Sequence, residues 1–114
     1  MVILNIGKNR IRDLIYDDID TGQLGSGTAV AIETNTALTT PVAGTVQTIE
    51  KTTSDKLIKI TYTNPATGTV GTFAEYMTNS TANSINYDRT VFSAYTQTSS
   101  YDVIVIKRYF IRSS

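Results

Sequence analysis

The C-terminal segment Val103 to Ile111 is an almost unbroken run of β-branched and aromatic residues, interrupted by Lys107 and Arg108. Such residues pack well on a pleated, half-buried surface and lose rotamer freedom in a helix, so the run predicts a β-strand. About one residue in six of the whole chain is threonine, which extends the same preference to the rest of the sequence. A mainly β protein is the fold class that this pattern favours.

Histidine and cysteine are both absent from the 114 residues. Histidine is the side chain that normally titrates near neutral pH, and cysteine is the usual thiol nucleophile and zinc ligand. We therefore predict a protein that is not an enzyme and has no catalytic residues, no cofactor and no metal site. Without cysteine there can be no disulfide, which fits assembly in a reducing cytoplasm.

Ten basic and ten acidic residues give a formal net charge of +0, and charged residues make up only 18% of the chain. No long-range field attracts nucleic acid or an anionic membrane, so we predict neither as a partner. A neighbouring subunit could cover this surface with little desolvation of charge. Met1 to Ile6 lacks the basic region of a signal peptide, and no stretch approaches the roughly 20 apolar residues that span a bilayer.

The chain divides into an N-terminal arm, residues 1–24, and a β-rich body, residues 25–114. In the arm, Lys8 to Tyr16 places Ile11, Leu14 and Ile15 on one face of a predicted amphipathic helix. Asn5 is a suitable N-cap, and the acidic residues that follow Tyr16 predict that the helix ends there. Three glycines then predict a flexible joint, at Gly22, Gly25 and Gly27.

In the body, turn-forming residues separate five predicted strands, which are Val46 to Lys51, Leu57 to Thr63, Thr72 to Met77, Thr90 to Tyr95 and Asp102 to Ile111. Their spacing favours an antiparallel β-sandwich or flattened barrel. The last strand is apolar on both faces, with Val103 and Val105 on one and Ile104 and Ile106 on the other. We therefore expect the N-terminal helix or another subunit to cover its second face.

Two acidic motifs suggest chemistry and also have simple structural explanations. Asp20-Thr21-Gly22 matches the tripeptide of the aspartic proteases, whose retroviral members are homodimers, but its wet flanks favour an acidic helix exit into a turn. Asp18 and Asp20 resemble part of a calcium loop, although the glycine is one position early and no glutamate closes it. Glu75 and Arg89 lie near apolar strand centres, where they are predicted to pair across strands.

Seven tyrosines against three phenylalanines suggest a contact surface, because tyrosine combines a rigid apolar face with a polar tip. The tyrosines that flank predicted loops are the best candidates. Together with the helix face, the candidate interaction residues are Ile11, Leu14, Ile15, Tyr87, Tyr95 and Tyr101.

Several weak motifs, taken in their order along most of the chain, carry a resemblance. They are Gly25-Ser26-Gly27-Thr28, Glu33-Thr34-Asn35-Thr36-Ala37-Leu38 with Pro41-Val42, Ile58 to Thr63 with Pro65, Phe73-Ala74-Glu75-Tyr76, Arg89-Thr90-Val91-Phe92, and Thr96 to Ser100 before the terminal strand. In this order the chain resembles small β-sandwich structural proteins of tailed bacteriophages and related archaeal viruses. The resemblance implies a place in the virion, in a tail, fibre, baseplate or capsid-decorating position.

The function predicted from the sequence is a non-enzymatic structural protein of a virus particle, assembled in the host cytoplasm. We expect it to form a homo-oligomer, with a trimer as the favoured state, and to attach to major capsid or tail proteins. One alternative is a carbohydrate-binding module that uses exposed tyrosines. The other is a homodimeric aspartic protease acting through Asp20-Thr21-Gly22.

Overall fold

A computed structural model describes residues 2–112 and contains, within them, one helix and eight strands. The helix is α1 (Asn5–Asp18). The strands are β1 (Thr21–Gly25), β2 (Gln47–Thr48), β3 (Glu50–Ser54), β4 (Leu57–Asn64), β5 (Thr72–Ser80), β6 (Ile85–Asn86), β7 (Thr90–Thr96) and β8 (Val103–Phe110).

The strands form two antiparallel sheets. A five-stranded sheet has the order β2-β1-β5-β6, with β7 also paired to β5, and a three-stranded sheet has the order β3-β4-β8. The prediction of a mainly β, antiparallel fold with one N-terminal helix is confirmed, and each of the five predicted strands overlaps an observed one. Strands β1 and β6 were not predicted from the sequence.

The hydrophobic core lies between the two sheets. Along β4 every second residue is buried, which places Ile58, Ile60 and Tyr62 on the inner face. They pack with residues of the five-stranded sheet such as Leu24 and Tyr76, and the rings of Tyr62 and Tyr76 lie 5.2 Å apart. Period-two alternation on a half-buried strand is therefore the sequence signal that builds this core.

The predicted glycine joint is wrong, because Gly22 and Gly25 lie within strand β1 and are buried. A Cβ atom at Gly22 would lie 2.7 Å from the Tyr62 ring and 2.8 Å from the Tyr76 ring. Glycine is needed here because two aromatic side chains approach the backbone closely. The predicted boundary between Leu24 and Gly25 falls inside this strand, so the part of the arm outside the sheets ends before Thr21.

Helix α1 differs from its prediction at both ends. Asn5 is the first helical residue instead of the N-cap, and the helix continues two residues beyond Tyr16. The Lys51 ammonium group donates to the carbonyl oxygens of Tyr16 and Ile19, at 2.5 and 2.8 Å, and lies 4.5 Å from the centre of the Tyr16 ring. This cation offsets the acidic residues at the helix C-terminus, where the macrodipole disfavours negative charge.

Within the described residues, the contacts that hold α1 to the sheets come from its C-terminal half. Ile15 and Tyr16 pack against the core, and Arg12 donates to the carbonyl oxygen of Asp55. The N-terminal half presents Ile6 to solvent. Within residues 2–112, no helix is both long and apolar enough to cross a membrane.

Candidate interaction surface

Glu75 is a fully buried carboxylate in the middle of β5, with 0% of its surface exposed. It accepts hydrogen bonds from the backbone N–H groups of Gly27, Thr39 and Thr40 at 2.8, 2.9 and 2.8 Å. These donors belong to both ends of the segment 26–40, which joins β1 to the rest of the five-stranded sheet. One side chain thus holds a long loop against the outer face of β5.

Arg89 completes this cluster, since its Nε donates to Glu75 at 2.8 Å. Its guanidinium also donates to the carbonyl oxygen of Ala29 at 2.8 Å and to the side chain of Asn35 at 3.2 Å. The predicted pairing of Glu75 with Arg89 is confirmed. Burial alone would raise the pKa of Glu75, but the hydrogen bonds from Thr40, Arg89, Thr39 and Gly27 outweigh it and hold the pKa below its usual value. The geometry describes a structural clamp.

The acidic residues at the end of α1 are also held by hydrogen bonds, as Glu75 is. The Asp18 carboxylate accepts hydrogen bonds from Ser80 at 2.7 Å and from the side chains of Asn83 and Tyr87. The hydrogen bond from Tyr87, followed by that from Ser80, lowers the pKa of Asp18. The same contact with Asp18 raises the pKa of Tyr87 to about 12. These bonds fasten the end of α1 to the turn after β5.

Asp20, the acid of the Asp20-Thr21-Gly22 tripeptide, caps the same turn. Its carboxylate accepts from the backbone N–H of Thr81 at 2.9 Å and from the Thr81 hydroxyl at 3.1 Å. The residue after the tripeptide's threonine is the buried Gly22, which lies under two tyrosine rings. Within residues 2–112, no group of three or more acidic side chains is arranged to hold a metal ion.

We predict that replacing Asp18 with Asn lowers the thermal midpoint, because the amide cannot accept the same three hydrogen bonds as strongly. The lowered pKa sets the sign of the pH dependence: the stabilisation is present above the unfolded pKa of about 3.9 and is lost as the pH falls through the folded value. Thermal melts of both proteins between neutral and acidic pH should therefore converge in acid. Asp17→Asn, at an exposed position, is the matched control, and an equal effect of both substitutions would contradict this account.

The outer edge of β8 is open. Among the described strands, β8 pairs with β4 alone. The N–H of Ile111 donates to Lys56 at 2.9 Å, and hydrogen bonds alternate along an antiparallel ladder, so the odd-numbered residues of β8 bond to β4. The backbone groups of the even-numbered residues therefore point away from the sheet. We call this row of groups, on Ile104, Ile106, Arg108 and Phe110, the β8 edge.

The side chains of the β8 edge lie on the outer face of the three-stranded sheet and are exposed, with Ile104 at 58% and Ile106 at 46%. Helix α1 does not cover them, because Lys51 and Asp55 hold it at β3, on the far side of β4. The expectation that the helix covers the second face of this strand is wrong. Cover by another subunit remains a prediction.

Beside the β8 edge, an apolar cleft separates β7 from β8. Its volume is about 600 Å³, and it is lined by Phe92 and Tyr95 of β7, by Val103 and Val105 of β8, and by Phe73 below them. We call it the β7–β8 cleft. One of its ends is closed, because Lys107 donates to the Thr90 hydroxyl at 2.6 Å and the Tyr109 hydroxyl donates to Asp88 at 2.7 Å.

The six candidate interaction residues do not form one surface. Tyr95 and Tyr101 lie together beside the β7–β8 cleft, with ring centres 6.2 Å apart, and the Tyr101 hydroxyl donates to Thr96 at 2.6 Å. A second group, Leu14, Ile15 and Tyr87, lines a depression of about 400 Å³ beside Asp18. Ile11 is exposed on the helix, whereas Ile15 is half-buried against the core.

The exposed residues of β8 were absent from the sequence-based candidate set, although the alternation of Val and Ile along the strand already placed Ile104 and Ile106 on a common face.

In comparisons with protein-family models, curated proteins and solved structures, nothing matches this chain.

Proposed function

We propose that this protein is a non-enzymatic structural subunit of a virus particle, which assembles with copies of itself and attaches to other proteins of the particle. The observation that carries the proposal is the β8 edge, which belongs to a strand of eight residues whose first half, Val103 to Ile106, is apolar on both faces. An exposed apolar edge strand is a template for pairing with another chain, and proteins that work as monomers usually protect such edges.

The opposite edge of the same sheet makes the contrast clear. Strand β3 has the sequence Glu50-Lys51-Thr52-Thr53-Ser54, and its residues are mostly exposed and polar. Charged and hydroxyl side chains are a common means of preventing edge-to-edge association. One edge of the three-stranded sheet is therefore protected and the other is suited to association.

The N-terminal half of α1 supplies a second apolar surface, separate from the first. Val2, Leu4 and Ile6 are 78%, 69% and 80% exposed, and the helix segment that carries Ile6 lies beyond the contacts that hold α1 to the sheets. Large apolar side chains exposed together commonly mark protein contacts. We assign this surface to the capsid or tail protein that the subunit binds. The assignment to a virus particle rests on the sequence resemblance. Four of the motifs that carry it supply residues to the Glu75 cluster, namely Gly27, Asn35, Glu75 and Arg89.

The test is density-gradient purification of particles from a culture that produces the tagged chain. We expect the chain in the particle band in many copies, and we expect Ile6→Asp to remove it from that band while its native mass in solution is unchanged. Val30→Asp, at an equally exposed position in the 26–40 loop, is the matched control. A chain that sediments apart from particles, or that cleaves peptides in a manner abolished by Asp20→Asn, would contradict the proposal.

A further inference from the structure

We propose that β8 pairs in antiparallel fashion with the β8 strand of a second copy. The two copies are related by a two-fold axis that lies midway between their Val105 residues, which we call the axis at Val105. This inference rests on the proposed function in one respect, the assembly of the chain with itself. It adds the partner strand, the register and the symmetry of the contact.

The backbone restricts the registers that are possible. Hydrogen bonds across the new pair must come from the even-numbered residues, whose N–H and C=O groups point away from β4. A two-fold axis on the β8 edge must therefore place one residue opposite the same residue of the second copy. Only then do even-numbered residues face even-numbered residues across the pair.

The side chains that face each other differ between these registers, and their chemistry favours one register over the others. With the axis at Val105, Ile104 faces Ile106 of the second copy and Asp102 faces Arg108, and each pair occurs twice. An axis at Ile104 places Asp102 opposite Ile106, and an axis at Ile106 places Arg108 opposite Ile104. An axis at Lys107 places two ammonium groups opposite each other, which is unfavourable. On the outer face, the Val105 register is the one that pairs both the isoleucines and the charged residues. On the inner face it places Val103 opposite Lys107, whose ammonium group is already held by the Thr90 hydroxyl.

The contacts of Asp102 and Arg108 are compatible with this pairing. One oxygen of the Asp102 carboxylate accepts a hydrogen bond from the N–H of Ala66 at 2.8 Å, which fixes the side chain and leaves the second oxygen for Arg108. Both residues are exposed. Arg108 lies on the same face of β8 as Ile104 and Ile106, and Asp102 directly precedes the strand. The charges therefore flank a patch of four isoleucines, two from each copy.

The consequence for the sheets is continuity across the axis. The two three-stranded sheets become one sheet with the order β3-β4-β8-β8-β4-β3. On the inner face the two Val105 side chains meet at the axis, where the β7–β8 clefts of both copies open towards each other. The exposed outer face of β8, which the sequence predicts to be covered, gains apolar neighbours from the second copy.

The register can be tested by introducing single cysteines and measuring which of them form a disulfide between two copies. The chain has no cysteine of its own, so any such disulfide comes from the introduced residue. In the proposed register the Cα atoms of the two Val105 residues are about 4.5 Å apart, within the range that a disulfide can bridge. We expect Val105→Cys to form a disulfide-linked dimer under mild oxidation. Single cysteines at Ile104, Ile106 and Lys107 should remain unlinked, since their counterparts lie out of register, and Thr53→Cys on β3 is the control for random collision.

The native mass and its charge dependence give the second measurement. We expect sedimentation to show a dimer, or a larger assembly built of dimers, that Arg108→Glu weakens by about tenfold or more, because two pairs change from attraction to repulsion. Arg112→Glu, outside the paired segment, should have little effect.

The outcomes separate this inference from the proposed function. Cross-linking at Ile104 or Ile106 in place of Val105 would overturn the register. A trimer that does not cross-link at any β8 position would overturn the two-fold pairing and leave self-assembly intact. A monomer at all concentrations, with no cross-linking, would overturn both.

Discussion

Replacing Glu75 with Gln is expected to lower the free energy of unfolding by about 3–5 kcal/mol, the range for breaking one partner of a buried ion pair. Glu75 is 0% exposed and the side chain of Arg89 is only 5% exposed. Water therefore cannot solvate the Arg89 guanidinium once the carboxylate charge is removed. The amide would also place an NH2 group among the N–H donors of Gly27, Thr39 and Thr40.

Chemical denaturation of both proteins at neutral pH measures this difference. Glu50→Gln is the matched control, because Glu50 is an exposed glutamate on edge strand β3, where such a change usually costs less than about 0.5 kcal/mol. A Glu75→Gln protein as stable as the control would show that the 26–40 loop is held by other contacts.

The pH dependence of this difference has a defined sign. The pKa of Glu75 is lower in the folded chain, so its contribution is fully present above the unfolded pKa of about 4.3 and is lost as the pH falls through the folded value. The stability gap between the two proteins should therefore narrow in acid. A gap that widens below that pH would mean that Glu75 is protonated in the native protein.

Replacing Ile60 with Ala is expected to cost about 2–5 kcal/mol, because the side chain is 0% exposed and the sheets on either side cannot close the cavity fully. Ile104→Ala removes the same atoms from the outer face of β8, and in a dilute monomer it should cost less than about 0.5 kcal/mol. Denaturant titrations of the two variants at one low concentration make the comparison.

The same pair of variants becomes informative about assembly when the concentration is raised. Under conditions in which the chain is oligomeric, Ile104→Ala should show an added loss of stability that Ile60→Ala does not show. An equally large cost of Ile104→Ala in the monomer would mean that the outer face of β8 is covered within one chain.

The strands that the sequence predicts correctly are those whose signal is local. Alternation along β4 and the turn residues between segments are enough to place most of the body. Strand β1 was missed because its sequence, Thr-Gly-Gln-Leu-Gly, has poor strand propensity. Its glycines are explained by Tyr62, Tyr76 and Glu75, which are distant in sequence, and no local pattern reports them.

The cluster around Glu75 was also predictable only in part. The pairing of Glu75 with Arg89 follows from two opposite charges near apolar strand centres, and it was found. The donors that complete the clamp are backbone N–H groups, which every residue but proline possesses, so the sequence carries no mark of them. The end of α1 was misplaced for a related reason, because Lys51 reaches it from strand β3.

The Glu75 clamp holds both ends of the 26–40 loop at one carboxylate, so the distance between those ends does not depend on the residues between them. Lengthening a loop whose ends are already fixed costs little, about 0.6 kcal/mol for each doubling of its length. The exposed residues from Val30 to Thr34, before the contacts of Asn35 and Thr36, are thus a place where the chain can vary in length and sequence while both sheets keep their pairing. Changes in this loop would in this way alter the surface of the protein without altering its framework of strands.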